Sequence, residues 1–201
     1  QAQVNRRNSR GFTALHAAAE NGHVSVMQLL LGARAELDCQ GEGFTPLHSA
    51  VGNGHKEAME LLLSAGAAVN QVGLSALHVA SHFSVVQGLL AARAEPNTVV
   101  PQLGTPLCCA ARAGDVEVVA LLLEKSVDLE SGDLTPLCLA AESGHLEVVC
   151  RLLQARAQLD GGPEVQSHLA TPAAVLAHAA GHMEVVELLE QIARDRSRFA
   201  A

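Results

Sequence analysis

The stretch FTALHAAAENGH, residues 12–23, returns as FTPLHSAVGNGH at residues 44–55 and, with substitutions, four times more. The other copies are LSALHVASH at 74–82, GTPLCCAARAGD at 104–115, LTPLCLAAESGH at 134–145 and a degraded TPAAVLAHAAGH at 171–182. An aliphatic block follows each: Val26 to Leu31, Ala58 to Leu63, Val85 to Leu90, Val118 to Leu123, Val148 to Leu153 and Val185 to Leu189. Such self-similarity decides the fold before any local motif does, because each copy is one supersecondary unit that needs its neighbours to bury its apolar face.

Elementary chemistry turns each copy into a helical pair. Thr or Ser before Pro or Ala supplies an N-cap oxygen, and a proline at the first helical position lacks only an N–H that has no partner within the helix. Gly22, Gly54, Gly114 and Gly144 then stop the first helix, since glycine accepts the left-handed conformation that a helix C-terminus asks for. The V-V-x-L-L-L blocks carry the apolar stripe of a second helix that packs on the first and on adjacent units. Turn-rich connectors such as ARAELDCQGEGF, residues 33–44, separate the pairs.

The T-P-L-H, G-H and V-V-x-L-L-L elements, in phase six times, resemble the ankyrin repeat. The resemblance implies an all-α solenoid of about six helix-turn-helix units with β-hairpin or loop fingers. It covers nearly the whole chain as one domain, residues 1–201. The units start near 13, 45, 75, 105, 135 and 171, residues 1–12 read as the tail of a preceding repeat, and residues 190–201 read as a polar C-terminal cap. The N-terminal face is accordingly expected to be covered by further sequence or by another protein, because terminal units of such arrays need a polar outer face.

Composition agrees. Apolar residues make up 49% of the chain, Trp and Tyr are absent and Phe occurs four times, so the core is aliphatic. A net charge of −8 is the wrong sign for gripping phosphates, which argues against nucleic acid as a partner. Arg6, Arg7 and Arg10 at one end, and Arg194, Arg196 and Arg198 at the other, read as solvated polar ends. No apolar run has the length of a membrane span. The five cysteines are odd in number and form no C-x-x-C, so they read as reduced thiols. That places the chain inside the cell, in the cytoplasm first, with the nucleus or an organelle entered after transit-peptide removal as alternatives.

The recurrent histidines read as scaffolding. His16, His48 and His78 hold the fourth signature position, where the resemblance implies a bond to the nearby threonine hydroxyl, and His23, His55, His82, His145 and His182 hold the G-H position. Cys108 and Cys138 replace histidine at the fourth position. A zinc site from His78, Cys108 and Cys138 would have the right donor types, but stacked units set equivalent residues roughly 8–10 Å apart, too far to share one ion. No metal and no cofactor is called for.

Two departures stand out. The glycine expected after the second helix survives at Gly66 but is replaced by Arg34, Arg93, Ser126 and Arg156, each costing about 1–2 kcal/mol if it stays left-handed. An arginine row of this kind is also compatible with an acidic partner. The intervals between units run 32, 30, 30, 30 and 36 residues, and HVASHFSVV lacks the turn between its two helices. This leads to the expectation that residues are omitted at these points.

No catalytic constellation breaks the pattern: there is no phosphate loop, no nucleophile elbow and no HExxH. Function then rests on residues that the repeat leaves free. The slot before each signature threonine or serine holds Phe12, Phe44, Leu74, Gly104 (with Leu103 beside it) and Leu134. It either faces a partner or finishes the core. The concave ends of the first helices add Glu20, Asn21, Asn53, Arg112, Glu142 and Ser143, a mixed set suited to an interface rim. The reading is a non-catalytic scaffold or adaptor binding another protein, as a subunit of a larger assembly. The alternatives are the regulatory domain of a larger enzyme or channel and, less favoured, a metal or redox protein.

Overall fold

The computed structural model describes residues 3–71, 73–131, 134–162 and 169–199. Val72, Gly132 and Asp133 in the connectors, the last two residues of the segment expected to form a C-terminal cap and the side chain of Arg198 lie outside the described residues. The chain forms two compact units, Gln1–Glu95 and Pro96–Ala201.

The first unit holds three helical hairpins: α1 (Ala14–Glu20) with α2 (Val24–Gly32), α3 (Pro46–Gly52) with α4 (Lys56–Ser64), and α5 (Ala76–Val79) with α6 (Phe83–Ala91). First helices pack on first helices (α1 on α3, α3 on α5), and second helices on second helices (α2 on α4, α4 on α6). Leu47, Val51, Met59, Leu62, Val85 and Leu89 are wholly buried between these layers. The second unit repeats the plan with α7 (Pro106–Ala113) and α8 (Val116–Leu123), α9 (Pro136–Glu142) and α10 (Leu146–Gln154), and α11 (Pro172–Ala179) and α12 (Met183–Phe199). Here α9 packs against both α7 and α11, and α10 against both α8 and α12. Among the described residues no strand forms. The fingers are turn-rich loops, two of which close on a single antiparallel bridge, Gly41 with Phe44 and Val100 with Gly104.

The predicted helix signals operate as read. Thr45, Thr105, Thr135 and Thr171 each accept a backbone N–H from the first turn of the helix they precede. Gly22 and Gly54 are left-handed, and around Gly22 the N–H groups of Gly22 and His23 return to the carbonyls of Ala19 and Ala18. These two bonds satisfy carbonyls that the helix end leaves open. Arg34, Arg93 and Arg156 also stay left-handed, at φ 65°, 63° and 70°, so the expected strain of about 1–2 kcal/mol each is present.

One expectation is corrected. Ser126 is not left-handed: α8 stops at Leu123, and Val127 N–H turns back to the Lys125 carbonyl, so no residue there has to pay the penalty. The third hairpin closes without a glycine turn. α5 has only four residues, Ala80 is extended at φ −80° and ψ 118°, and α6 begins directly on His82, whose carbonyl accepts from Val85 and Val86. A shortened helix with an extended exit replaces the glycine turn.

Candidate functional site: the finger and first-helix grooves

Each first helix is tied to the finger that follows it. In α1, His16 Nδ1 accepts Thr13 N–H at 3.0 Å and lies 3.0 Å from Thr13 Oγ1, while Nε2 sits 3.1 Å from the Phe44 carbonyl. In α3, His48 Nδ1 accepts Thr45 N–H at 3.2 Å, and Nε2 sits 2.7 Å from the Leu74 carbonyl. With a backbone donor on Nδ1, the neutral imidazole carries its proton on Nε2 and donates it to the next finger. Burial is the main cause holding both imidazoles below the ordinary histidine range, which favours this neutral form. The threonine tie is the one the family resemblance implied; the second bond, from one repeat to the next, was not expected.

Cysteine substitutes for the imidazole in the second unit. Cys108 Sγ accepts from Thr105 Oγ1 at 3.4 Å and lies 3.7 Å from the Leu134 carbonyl, and Cys138 Sγ lies 3.3 Å from the Gly161 carbonyl. Each thiol thus reaches a carbonyl of the following connector, as the imidazoles do, through a weaker donor. All five cysteines are unpaired thiols. Among the described residues no group of three or more His, Cys, Asp or Glu side chains converges as a metal site.

The second histidine series has its own repeated task. His55 Nε2 lies 3.0 Å from the Glu20 carbonyl and His145 Nε2 lies 3.0 Å from the Arg112 carbonyl. The His55 ring covers Gly22, where a Cβ would come within 2.7 Å of Nδ1. Glycine is needed there twice over, for its left-handed backbone and for the ring. The same bonds anchor the backbone of Glu20 and Arg112 while leaving both side chains exposed.

Two grooves result. The first, about 530 Å³, lies in the first unit; Phe12 and Phe44 line it from the fingers, Ala17, Ser49, Gly52 and Val79 from the helices, with Glu20 and Asn53 at the helix ends. Phe12 meets the His16 ring edge-to-face at 4.9 Å, and Phe44 meets the His48 ring at 6.0 Å. Phe44 remains 37% exposed, so this slot both rests on the core and presents an aromatic edge. Arg10 stacks 5.1 Å above the Phe12 ring and holds the Glu42 carboxylate with two bonds of 2.8 and 2.6 Å. The second groove, about 410 Å³, lies in the second unit and is lined by Val99, Leu103, Arg112, Leu134 and Leu139.

Seven of the residues picked from sequence are therefore gathered: Phe12, Phe44, Glu20 and Asn53 in one groove, Leu103, Arg112 and Leu134 in the other. Leu74, Asn21, Glu142 and Ser143 line neither of these two. Leu74 is half-buried and offers its carbonyl to His48, Asn21 is exposed and spends its amide on the Ala17 carbonyl, and Ser143 ends α9. Sequence reasoning missed Ala17, Ser49, Val79 and Leu139. All four stand four residues after the signature Thr or Ser, on the helical face that also carries the chosen residues a turn later. It also missed Arg10 and Glu42, whose opposite charges occupy the same finger position three residues before successive threonines.

Comparison with known proteins places this geometry. A family model for ankyrin repeats matches three overlapping stretches, residues 1–72, 32–100 and 76–162. Protein fem-1 homolog A from human and from cattle are each 52% identical to this chain over 40 residues, 20% of this chain and 6% of either relative. The chain thus spans a small fraction of those proteins. The crystal structure of the human ASB11 ankyrin repeat domain superposes with a TM-score of 0.81 at 29% identity, covering 94% of this chain and 87% of that one. Repeating helical hairpins, threonine-capped first helices, carbonyl-directed rungs and a family pattern running through most of the sequence lead to one conclusion: this chain belongs to the ankyrin repeat family.

Proposed function

We propose that this chain is a non-catalytic scaffold or adaptor that captures a partner protein in the groove of its first unit, with Phe12 and Phe44 as anchors. The observation that carries the reading is the pair of phenylalanines held by buried histidines over a floor of small side chains. Such a site is concave, preformed and aromatic, the combination from which interface hot spots are built. Glu20, Asn53, Arg10 and Glu42 form its polar rim. Leu103, Arg112 and Leu134 offer a second contact area, to which Glu142 and Ser143 would add periphery, as Asn21 and Leu74 would for the first unit. Five unpaired thiols suit a reducing, intracellular compartment. Among the described residues no helix is long and apolar enough to cross a membrane.

Replacing both Phe12 and Phe44 with Ala should weaken partner binding more than about tenfold while leaving the helical circular dichroism unchanged. Binding that survives the double replacement would reject the anchor assignment. A second reading is a regulatory ankyrin domain within a larger enzyme or channel, in keeping with relatives that are far longer than the segment they share with this chain, 6% of their length. Intact mass and activity of the natural full-length product separate the two.

A further inference from the structure

The second helices share a register, and one of them breaks it. Val26 in α2 corresponds to Ala58, Val85, Val148 and Val185 in α4, α6, α10 and α12. Those four are 0–2% exposed, whereas Val26 is 46% exposed. Three residues on, Leu29 is 75% exposed, and Leu30 is only half-buried where Leu62, Leu89, Leu152 and Leu189 are wholly buried. The α1 helix shows the same pattern: Ala14 is exposed, while Pro46 and Ala76 at its position are buried. In α4 and α6 this face is covered by the preceding helical hairpin, α2 on α4 and α4 on α6.

The bare face carries no charge, since α2 reads VSVMQLLLG. By contrast α12, which has the same aliphatic stripe, exposes Glu184, Glu187, Gln191 and Arg194, a polar exterior. An uncharged aliphatic ridge at the spacing of a buried one is a stacking surface.

We infer that the α1–α2 face seats one further helical hairpin of the same repeat type, its aliphatic second helix lying alongside α2 as α2 lies alongside α4. The finger of residues 3–12 is already built to receive it. Asn5 Oδ1 accepts Glu36 N–H at 2.9 Å, the clamp that Asn70 makes with Glu95 N–H at 2.9 Å. Asn70 lies six residues beyond the end of α4 at Ser64, so a hairpin leading into Asn5 at the same spacing lands on Val26 and Leu29. The inference does not depend on which groove binds a partner.

A photo-crosslinking amino acid placed at Leu29 of the natural full-length protein, followed by peptide sequencing, reads the occupant. The expected product is a peptide carrying the repeat pattern, a T-P-L-H-like start or a V-V-x-L-L block, distinct from α2. Crosslinks to α2 of a second copy, to a sequence without the pattern, or to nothing would overturn the proposal. A second arm fuses a copy of the Thr45–Ala67 hairpin ahead of residue 3. It should raise the thermal midpoint by several degrees and slow amide exchange in α2, and Val26→Glu with Leu29→Glu should abolish both gains. A graft that folds, by its helical signal, and leaves α2 exchanging as before would equally refute it.

Discussion

The two units solve one problem with different side chains. In the first, a buried imidazole at the fourth signature position bonds the threonine behind it and the finger carbonyl ahead. In the second, a thiol does so over longer distances, at 3.7 Å for Cys108 and 3.3 Å for Cys138. The preceding slot changes with it. Phenylalanine stands before His16 and His48, where ring edges meet ring faces, but glycine stands before Cys108, and a Cβ on Gly104 would come within 2.8 Å of the sulfur. Rung and slot match at these three positions, while leucine precedes both His78 and Cys138, and the exposed aromatic edges of the first groove rest on the imidazoles beneath them.

Removing a rung should separate the units most. His48→Ala strands the Leu74 carbonyl and the Thr45 N–H in a buried site, for a loss of about 2–4 kcal/mol in urea unfolding. Cys138→Ala removes a weaker donor and a smaller volume, for about 1–2 kcal/mol. Equal losses would erase the distinction between imidazole and thiol.

The slot comes next. Gly104→Ala combines a left-handed backbone at φ 79° with a close approach to Cys108, and should cost about 1–3 kcal/mol. Pairing it with Cys108→Ala should return part of that loss if sulfur crowding is the cause, a result that a double-mutant cycle reads directly.

Acid should act on one unit more than on the other. His16 and His48 hold their protons less readily folded than unfolded, so protons favour the unfolded chain. The stability they contribute is complete above the ordinary value of 6.5 and is lost as the pH falls through their lower folded values. Arg7 beside His16, and His16 and His78 around His48, push in the same direction. Amide exchange followed from pH 7 to about 5 should show α1 and α3 loosening before α7 and α9. The reverse order would remove the imidazole rungs as the cause.

The smallest effect belongs to the surface. Arg10→Ala breaks the ion pair with Glu42, yet both groups are solvated, so folding stability should hardly move and any change should appear in partner binding and its salt dependence.

Much of this molecule is determined locally and was open to reading from residues alone. Thr45 before Pro46 starts a helix, Gly54 stops it, and the aliphatic block from Ala58 to Leu63 makes the second helix, because capping, left-handed turns and helical periodicity act within a few residues of the chain. The tie between His48 and Thr45 is of the same short range. Only tertiary structure decided that His48 also reaches the Leu74 carbonyl, 26 residues away, that His55 roofs Gly22, and that Phe12 and Phe44 share a groove with Ala17 and Gly52. Those contacts depend on how far one hairpin is displaced from the next, a distance set by the volumes packed between them. The same reason hid the exposure of Val26: its residue type is that of a buried position, and only the presence or absence of a neighbour tells the two apart.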